Sequence, residues 1–188
     1  MAQRPNGQAT QQRILRSAAR HVGLHGPARL TLESCAKASG LSKGAVLYHF
    51  KTKDALITAM LESILDGFDH ATSAITASDG SEFGGYAAAY AKVSFDPGNN
   101  RPEAAAGLLA AISNNLELLE PAAARHLHYQ HMLEADSISP AIATLVRLSA
   151  DGLFFARALG LAPPADALTE EVLKLLLGLI APPTPKET

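Results

Sequence analysis

Apolar residues recur along this chain at the spacing of amphipathic helices. Near the N-terminus, Ile14, Ala18 and Val22 fall four residues apart and form one apolar stripe. The same period returns near the C-terminus, where Leu168 and Val172 begin another stripe. The sequence shows no strand-like alternation, no internal repeat and no low-complexity block. The pattern therefore predicts an all-α fold.

Local start and stop signals divide the N-terminal part into three predicted helices. The first begins at Thr10 and stops at Gly26-Pro27. Thr31 is a favoured N-cap for a short second helix, which ends at Gly40. A third short helix follows over residues 43–50. Two short helices joined by a glycine-containing turn form a helix-turn-helix.

Six further helices are predicted from the same signals. Thr52 is expected to cap a long fourth helix, and Ser139 with Pro140 to open the eighth, because proline is favoured in a first helical turn. Pro121 is expected to bend the seventh helix if that helix begins near Leu116. The six are placed at about 53–77, 83–95, 102–113, 116–133, 140–159 and 165–180.

The composition limits the class of protein. The 188 residues are 47% hydrophobic, which is enough for a buried core. No apolar run approaches the roughly 20 residues that cross a bilayer, and the start lacks the apolar stretch of a signal peptide. Cys35 is the only cysteine, so no intramolecular disulfide can form. We expect a soluble, cytoplasmic protein with no membrane partner.

Charge is distributed unevenly between the two ends of the chain. Up to Lys53 there are nine Lys/Arg and one acid, Glu33, which gives a net charge of +8. The remainder holds seven basic and seventeen acidic residues, a net charge of −10. A basic head on an acidic body is expected when one end of a protein meets a polyanion. Double-stranded DNA is the polyanion that a helix-turn-helix suggests.

The third predicted helix begins with residues suited to reading bases. Its start is Ser42, Lys43, Gly44 and Ala45. The small side chains let the backbone approach base edges, while the Lys43 ammonium can donate to guanine or to phosphate. This start is typical of a recognition helix.

Groups suited to phosphate contacts follow within a few residues. Tyr48 and His49 stand at the far end of the recognition helix, where a phenol and an imidazole can donate hydrogen bonds to phosphates. Lys53 begins the next helix, and its ammonium forms an anion site with the N–H groups of that helix end. Lys51 completes the candidate DNA-binding set.

Together these residues form an ordered motif. Three strings resemble the DNA-binding signature of the TetR family of repressors: Thr31-Leu32, Gly40-Leu41-Ser42-Lys43-Gly44 and Tyr48-His49-Phe50-Lys51-Thr52-Lys53-Asp54-Ala55-Leu56. The resemblance implies phosphate contacts from Thr31, Tyr48, His49 and Lys53. It implies close approach to bases from Lys43, Gly44 and Ala45, and a packing role for Phe50. Leu47 departs from the family pattern, which commonly has tyrosine there.

The resemblance also implies an organisation for the whole chain. A helix-turn-helix DNA-binding domain would precede a larger helical domain, with a ligand cavity among its middle helices and a homodimer interface on its last two. The last two helices independently favour a dimer, because their apolar faces are too extensive for a monomer to cover: Ile142, Leu145, Val146, Ser149, Leu153, Leu173, Leu176, Leu177 and Ile180. The predicted boundaries are a flexible arm (1–9), the DNA-binding domain (10–53), the ligand-binding and dimerisation domain (54–181) and a tail (182–188).

Candidate ligand-binding residues are aromatic or polar positions within otherwise aliphatic helices. They are Phe83, Tyr86, Tyr90, Asn114, Tyr129, Phe154 and Phe155. The scarcity of Lys and Arg in this part of the chain suggests an apolar or weakly cationic ligand. The predicted function is a sequence-specific transcriptional regulator, a repressor that an unknown small-molecule effector releases from operator DNA, with no cofactor.

Two alternatives stay open. His126, His128 and His131, with Glu134 downstream, allow a metal-sensing regulator, although the spacing is not that of a hydrolytic zinc site. A helix-turn-helix protein controlled by a protein partner is the other. The sequence has no Ser-His-Asp order, no phosphate-cradling glycine loop and no dinucleotide fingerprint, so no enzyme activity is expected and no metal ligand is assigned.

Overall fold

The computed structural model describes residues 7–79, 83–96, 98 and 102–181. Over these residues the chain forms helices joined by loops and contains no strand, which confirms the all-α prediction. None of the described helices is long and apolar enough to cross a membrane. The helices are α1 (Gly7–His25), α2 (Leu32–Ser39), α3 (Lys43–His49), α4 (Lys53–Asp79), α5 (Gly85–Phe95), α6 (Pro102–Asn114), α7 (Glu120–Glu134), α8 (Pro140–Leu159) and α9 (Asp166–Ile180).

The caps predicted for α2 and α4 are present, and α3 has a cap of the same kind at Ser42. The Thr31 hydroxyl accepts a hydrogen bond from the Ser34 N–H, and the Ser34 hydroxyl oxygen accepts one from the Thr31 N–H, each at 2.9 Å. The Ser42 hydroxyl accepts a hydrogen bond from the N–H of the third residue of α3 at 3.1 Å. The Thr52 hydroxyl accepts one from the N–H of the third residue of α4 at 3.0 Å. Gly40 ends α2 at φ +62°, a left-handed conformation that glycine adopts without strain. These local bonds set the helix-turn-helix boundaries.

Differences from the predictions lie at the starts of α1 and α7 and in the cap of α8. Helix α1 begins at Gly7 and not at Thr10, so the last residues of the predicted arm are helical, while residues 1–6 lie outside the described part. A 3-10 turn at Leu116–Leu119 precedes α7, and Pro121 therefore lies in a first turn, where its missing N–H costs no hydrogen bond. Ser139 precedes Pro140 as expected, but its side chain makes no capping bond.

The first of two compact units contains the helix-turn-helix. It comprises Met1–Leu65 and Arg101–Ala123, so it includes the whole predicted DNA-binding segment together with α6. Its core contains Ile14 of α1, Val46 of α3 and Leu56 of α4, all fully buried. Each such side chain contributes about 1.5–3 kcal/mol on burial. Helix α6 packs on α1, so a segment distant in sequence completes the scaffold that holds α2 and α3.

The second compact unit comprises Asp66–Asn100 and Ala124–Thr188. Within it, α5 packs against α8 and α9. The start of α5 is held by the loop before α8, because the Gly84 N–H donates to the Ser137 hydroxyl and the Ala87 N–H donates to the Asp136 carboxylate, each at 2.8 Å. Gly84 has φ +62°, and a Cβ there would overlap the Ile180 side chain. This position therefore requires glycine for both reasons.

Candidate DNA-binding and ligand-binding sites

The start of α3 is an exposed surface with little side-chain bulk. Ser42, Lys43 and Gly44 are exposed, and Ala45 is half-buried. A Cβ added at Gly44 would meet only the Ser42 hydroxyl, at 3.9 Å, which is ordinary contact. The fold does not require a glycine there, so the open space on this turn is available to another molecule.

Lys43 is the cation at this surface. Its ammonium lies 3.6 Å from the Glu33 carboxylate, and both side chains are largely exposed. An exposed ion pair of this kind is worth about 0–1 kcal/mol and is screened by salt. Lys43 can therefore exchange Glu33 for a phosphate or a base at little cost.

Tyr48 is a large aromatic side chain that the fold leaves in solvent. It is 77% exposed, and its ring meets His49 edge-on at 5.3 Å between centroids. The Lys51 ammonium lies 5.9 Å from the centre of the Tyr48 ring, within the range of a cation–π contact. Tyr48, His49 and Lys51 thus form one patch that combines a hydroxyl, an imidazole and an ammonium.

The remaining candidate DNA-binding residues lie at helix starts. Thr31 is exposed. Its hydroxyl oxygen accepts a hydrogen bond from the Ser34 N–H, so its hydroxyl proton stays available to donate to a phosphate. Lys53 is the half-buried first residue of α4. Leu47, the departure from the family pattern, is half-buried on α3, and Phe50 is buried in the core as expected.

Arg13 is a structural cation that the sequence did not reveal. Its Nε donates to the Ser39 carbonyl oxygen at 2.9 Å, and its terminal nitrogen also bonds that oxygen. The guanidinium therefore caps the carboxyl end of α2. Arg13 and Ser39 are 26 positions apart, so no local pattern indicated the contact. One of the nine basic residues of the N-terminal segment is thus engaged within the protein.

Cys35 is buried in the core of the same unit. Burial raises the pKa of the Cys35 thiol to about 11, with a smaller opposing effect of the Ser34 side chain. The reactive thiolate is therefore scarce near neutral pH.

Three of the predicted ligand-binding residues come together in the second unit. Tyr86 and Tyr90 of α5 and Tyr129 of α7 form an aromatic cluster with Phe68 of α4. Ring centroids are 4.9 Å apart for Phe68–Tyr90, 5.3 Å for Phe68–Tyr129, 5.8 Å for Tyr90–Tyr129 and 6.3 Å for Tyr86–Tyr90. Sequence reasoning missed Phe68, because its spacing from neighbouring apolar residues is that of an ordinary core position of α4.

Polar groups lie at the edges of this aromatic cluster. The Tyr129 hydroxyl donates to the Asp69 carboxylate at 2.7 Å, and Arg125 pairs with the same carboxylate. The Tyr90 hydroxyl lies 3.4 Å from Asp151 Oδ1, while Arg147 donates to Asp151 Oδ2 at 2.8 Å. Neither aspartate stands out in the sequence, because an acid at a polar helix position carries no distinguishing signal.

Burial changes the proton affinities in the cluster. Desolvation raises the pKa of Tyr86 to about 12, and it also raises the pKa values of Tyr90 and Tyr129, so all three phenols are neutral. Desolvation lowers the pKa of His126. The negative charge of Asp151 has a smaller effect in the opposite direction. The imidazole is therefore predominantly neutral at pH 7.

The other predicted ligand-binding residues lie elsewhere. The Asn114 side chain donates to Asp54 at 2.6 Å in the first compact unit. Phe154 and Phe155 contact each other at 5.6 Å between ring centroids and are partly exposed on α8, and Phe83 is partly exposed before α5.

The histidines of α7 show no metal site. His126 lies 3.9 Å from Asp151, and His128 packs beside Tyr129. The described part of the chain holds no group of three or more His, Cys, Asp or Glu side chains that could hold a metal ion. The metal-sensing alternative thus gains no support.

The outer faces of α8 and α9 differ from the face that the sequence indicated. Val146, Leu153, Leu176 and Ile180 are buried within the protomer. Leu145 of the predicted set is exposed, and further exposed apolar side chains lie outside that set, at Leu148, Phe155 and Leu159 of α8 and at Leu168, Leu175 and Leu179 of α9. Both helices are apolar on two faces, so their period alone could not distinguish the inner face from the outer one.

A pocket of about 240 Å³ is lined by residues of α5, α8 and α9 and by Asp96, and no predicted ligand-binding residue lines it.

Two family models match the chain. The model described as "Bacterial regulatory proteins, tetR family" matches residues 14–60. The model described as "Tetracyclin repressor-like, C-terminal domain" matches residues 84–181. The two together cover both the helix-turn-helix and most of the second compact unit.

Curated relatives match over a shorter segment. The HTH-type transcriptional regulator TtgR of Pseudomonas putida is 35% identical over 72 residues, which are 38% of this chain and 34% of TtgR. The probable HTH-type transcriptional regulator ArpR, also of Pseudomonas putida, matches to the same extent. The chain thus spans about a third of the length of these curated relatives.

Solved structures match over most of the chain. A TetR family member from Streptomyces coelicolor A3 is 25% identical, with a TM-score of 0.65 over 89% of this chain and 97% of that one. The multidrug binding protein EbrR complexed with malachite green is 28% identical, with a TM-score of 0.63 over 88% and 96%. EbrR complexed with ethidium is 26% identical, with a TM-score of 0.60 over 89% and 97%.

Proposed function

Because this chain belongs to the TetR family of bacterial regulatory proteins, we propose that it is a dimeric repressor that a small apolar or weakly cationic molecule releases from operator DNA. The observation that carries the proposal is the surface of α3. There a lysine, a glycine and an alanine lie at an exposed helix start, and a solvent-exposed tyrosine lies at the other end.

Base contacts are assigned to the start of α3. A helix that enters the major groove by its N-terminal turn presents that turn to base edges. Ser42, Gly44 and Ala45 add little bulk between the backbone and the groove, and Lys43 reaches furthest from the helix axis. Lys43 is therefore the residue that we expect to set base preference.

Phosphate contacts are assigned to the residues around this helix. The Thr31, Tyr48 and His49 side chains carry polar hydrogens, and Lys51 and Lys53 carry positive charge. Contacts of this type fix the orientation of the protein on the duplex without reading its sequence.

The dimer is assigned to α8 and α9. Leu145, Leu148, Phe155 and Leu159 recur on the outer side of α8 at spacings of helical turns. Monomeric proteins rarely expose a continuous apolar stripe of this kind. A second copy of the chain packed on this face would supply the two-fold symmetry that paired half-sites require.

The proposed ligand class is supported by both the relatives and the aromatic cluster. EbrR, which is a multidrug binding protein, has been solved with malachite green and with ethidium. In this chain the aromatic cluster of Phe68, Tyr86, Tyr90 and Tyr129 offers the matching chemistry of flat apolar faces with polar edges. The protein-partner alternative has no observation in its favour.

Selection of DNA from a random pool by the full-length protein tests the proposal. We expect the recovered sequences to share a pseudo-palindrome, and binding to weaken steeply as the salt concentration rises. A pool without enrichment, or binding that is insensitive to salt, would contradict the operator-binding function.

A further inference from the structure

The carboxyl end of α1 carries a pair of histidines that the proposed function does not use. His21 and His25 are four positions apart, so their side chains lie on one face of the helix. His21 is half-buried and His25 is exposed, so solvent and dissolved ions reach the pair. Two histidines at this spacing on a helix face can bind one Zn²⁺ ion together. The histidines of α7 are not spaced in this way.

The two imidazole rings are separated by a distance that suits a shared metal ion. An ion held at about 2.0–2.1 Å from an imidazole nitrogen lies roughly 3.2 Å from the centre of that ring. For ligand angles of about 90–109°, as in octahedral or tetrahedral sites, the two ring centres are then roughly 4.5–5.2 Å apart. The centroids of His21 and His25 are 4.7 Å apart, with ring planes tilted by 55°. The ring separation of a metal-bound pair is therefore already present.

A second observation concerns the proton of His21. Its Nε2 lies 3.1 Å from the carbonyl oxygen of Arg29, eight positions along the chain. A carbonyl oxygen only accepts hydrogen bonds, so Nε2 carries the proton and donates it, and the neutral imidazole keeps its lone pair on Nδ1. Metal-binding histidines almost always donate their other ring N–H to a carbonyl or a carboxylate in this way. The bond to Arg29 therefore selects Nδ1 as the ligand atom of His21.

The surroundings favour a metal ion that prefers nitrogen ligands. No Asp or Glu precedes Glu33 in the chain, so this segment offers no carboxylate for Ca²⁺ or Mg²⁺. Imidazole nitrogens suit Cu²⁺, Ni²⁺ and Zn²⁺, and Cu²⁺ binds most tightly of the three. His25 is the last residue of α1, where the partial negative charge of the helix end attracts a cation. Arg20 and Arg29 are exposed, so solvent screens their repulsion of the ion.

The bond from His21 connects this pair to the helix-turn-helix. Arg29 ends the 3-10 turn Pro27–Arg29, and Thr31, the N-cap of α2, follows two residues later. A metal ion on Nδ1 draws electrons from the ring, so the Nε2–H group becomes a stronger donor to the Arg29 carbonyl. A bound ion would therefore brace the turn that leads into α2.

We propose that His21 and His25 bind one divalent transition-metal ion, Cu²⁺ more tightly than Zn²⁺, in a bidentate site that braces the turn before α2. The protein supplies two ligands and water supplies the others, because the described residues contain no group of three or more His, Cys, Asp or Glu side chains that could hold a metal ion. Neither DNA nor an effector takes part in this site. Its tests therefore succeed or fail independently of operator binding.

Titrations of the full-length protein, without an affinity tag, with Cu²⁺ and with Zn²⁺ measure the site. His21→Gln and His25→Gln should each weaken the binding of the first equivalent by roughly tenfold or more, because the second imidazole of a chelate binds intramolecularly. For the same reason the double variant should lose little more than either single variant. Glutamine at position 21 still offers an N–H to the Arg29 carbonyl, so the fold is kept.

His128→Gln combined with His131→Gln is the matched control. It also removes two exposed imidazoles, but from α7 and at a spacing of three residues. This control should keep full affinity for both ions, and Mg²⁺ should not bind the original protein at the same concentrations. Full affinity in His25→Gln, or a loss that appears only in the α7 control, would overturn the proposed site.

Imidazole ¹⁵N spectra identify the ligand atom. In the metal-free protein the neutral His21 ring should carry its proton on Nε2, and Zn²⁺ should shift the Nδ1 resonance of this residue. A neutral His21 with its proton on Nδ1 would contradict the assignment.

Hydrogen exchange tests whether the ion braces the turn. Saturating Zn²⁺ should raise the melting temperature and slow amide exchange at the start of α2 in the original protein. Both effects should be absent in His25→Gln, whose side chain is exposed and not needed for folding. If they persist in this variant, Zn²⁺ acts at another place and the proposal is wrong.

Discussion

Gly44 and Tyr48 are residues whose identities the fold of the protomer does not explain. The space beside Gly44 would accept a methyl group, and the Tyr48 ring lies largely in solvent. A glycine inside a helix is less favourable than alanine by roughly 0.5–1 kcal/mol. Residues that cost stability and carry no packing role are candidates for contact with another molecule.

Gly44→Ala should separate stability from DNA binding. We expect the melting temperature to stay the same or to rise, because alanine favours the helix, while operator affinity falls because the methyl group holds the backbone away from the bases. Gly23→Ala on α1 is the matched control, since a Cβ there meets nothing within 4 Å. It should keep full operator affinity. An unchanged affinity in Gly44→Ala would contradict the close approach of α3 to bases.

Lys43 and Lys53 should differ in the kind of DNA contact that they make. Lys43→Ala should change base preference by ~1–3 kcal/mol at the base it contacts. Lys53→Ala should weaken binding to all DNA sequences alike and should lower the slope of log affinity against log salt concentration by about one. Salt titrations on the selected operator and on single-base variants measure both effects. If Lys43→Ala acts equally on every sequence, Lys43 contacts phosphate and does not read bases.

At the scale of elements, α8 and α9 each bury one face in the protomer core and leave another face exposed. The contrast is clearest at two neighbouring residues, since Leu175 is 70% exposed and Leu176 is 5% exposed. The outer faces lie on the two helices to which we assign the dimer. A charge placed on either face therefore distinguishes assembly from folding.

Leu175→Glu should yield folded monomers. The substituted side chain lies in solvent in the protomer but would be buried without a partner in the dimer, which costs several kcal/mol. We expect half the molecular mass by light scattering, an unchanged helical circular dichroism spectrum and a large loss of operator affinity. Leu176→Glu should instead unfold the second unit. A Leu175→Glu protein that remains dimeric would place the interface elsewhere.

At the scale of the whole molecule, the DNA surface and the aromatic cluster belong to different compact units. Helix α4 contributes to both units, since it runs from Lys53 to Asp79 and the division falls after Leu65. It begins among the candidate phosphate contacts and carries Phe68 further along. A ligand can change operator binding only by its difference in affinity for the two states of the protein.

Malachite green and operator DNA should weaken the binding of each other by the same factor. Equilibrium linkage requires this equality for any effector that releases the repressor. The dye is titrated with and without saturating operator, and the operator with and without saturating dye, with dye binding to operator alone subtracted. Dye affinity that is independent of the operator would show that the dye is not an inducer, even if it occupies the cluster.

The sequence by itself determined those features that depend on neighbouring residues. The Thr31, Ser42 and Thr52 caps each join groups three positions apart, and the turn at Gly40 needs a left-handed residue, so local chemistry predicts the helix-turn-helix and the exposed start of α3. The excess of positive charge before residue 54 is likewise a property of composition.

Only the tertiary structure decided which distant residues meet and which face of a helix is buried. Arg13 reaches Ser39 across 26 positions, and Tyr90 reaches Asp151 across 61. No periodicity encodes such pairs, because they depend on how helices pack. The same holds for α9, where leucines surround much of the helix and the neighbouring α5 and α8 determine that Leu176 is buried and Leu175 exposed.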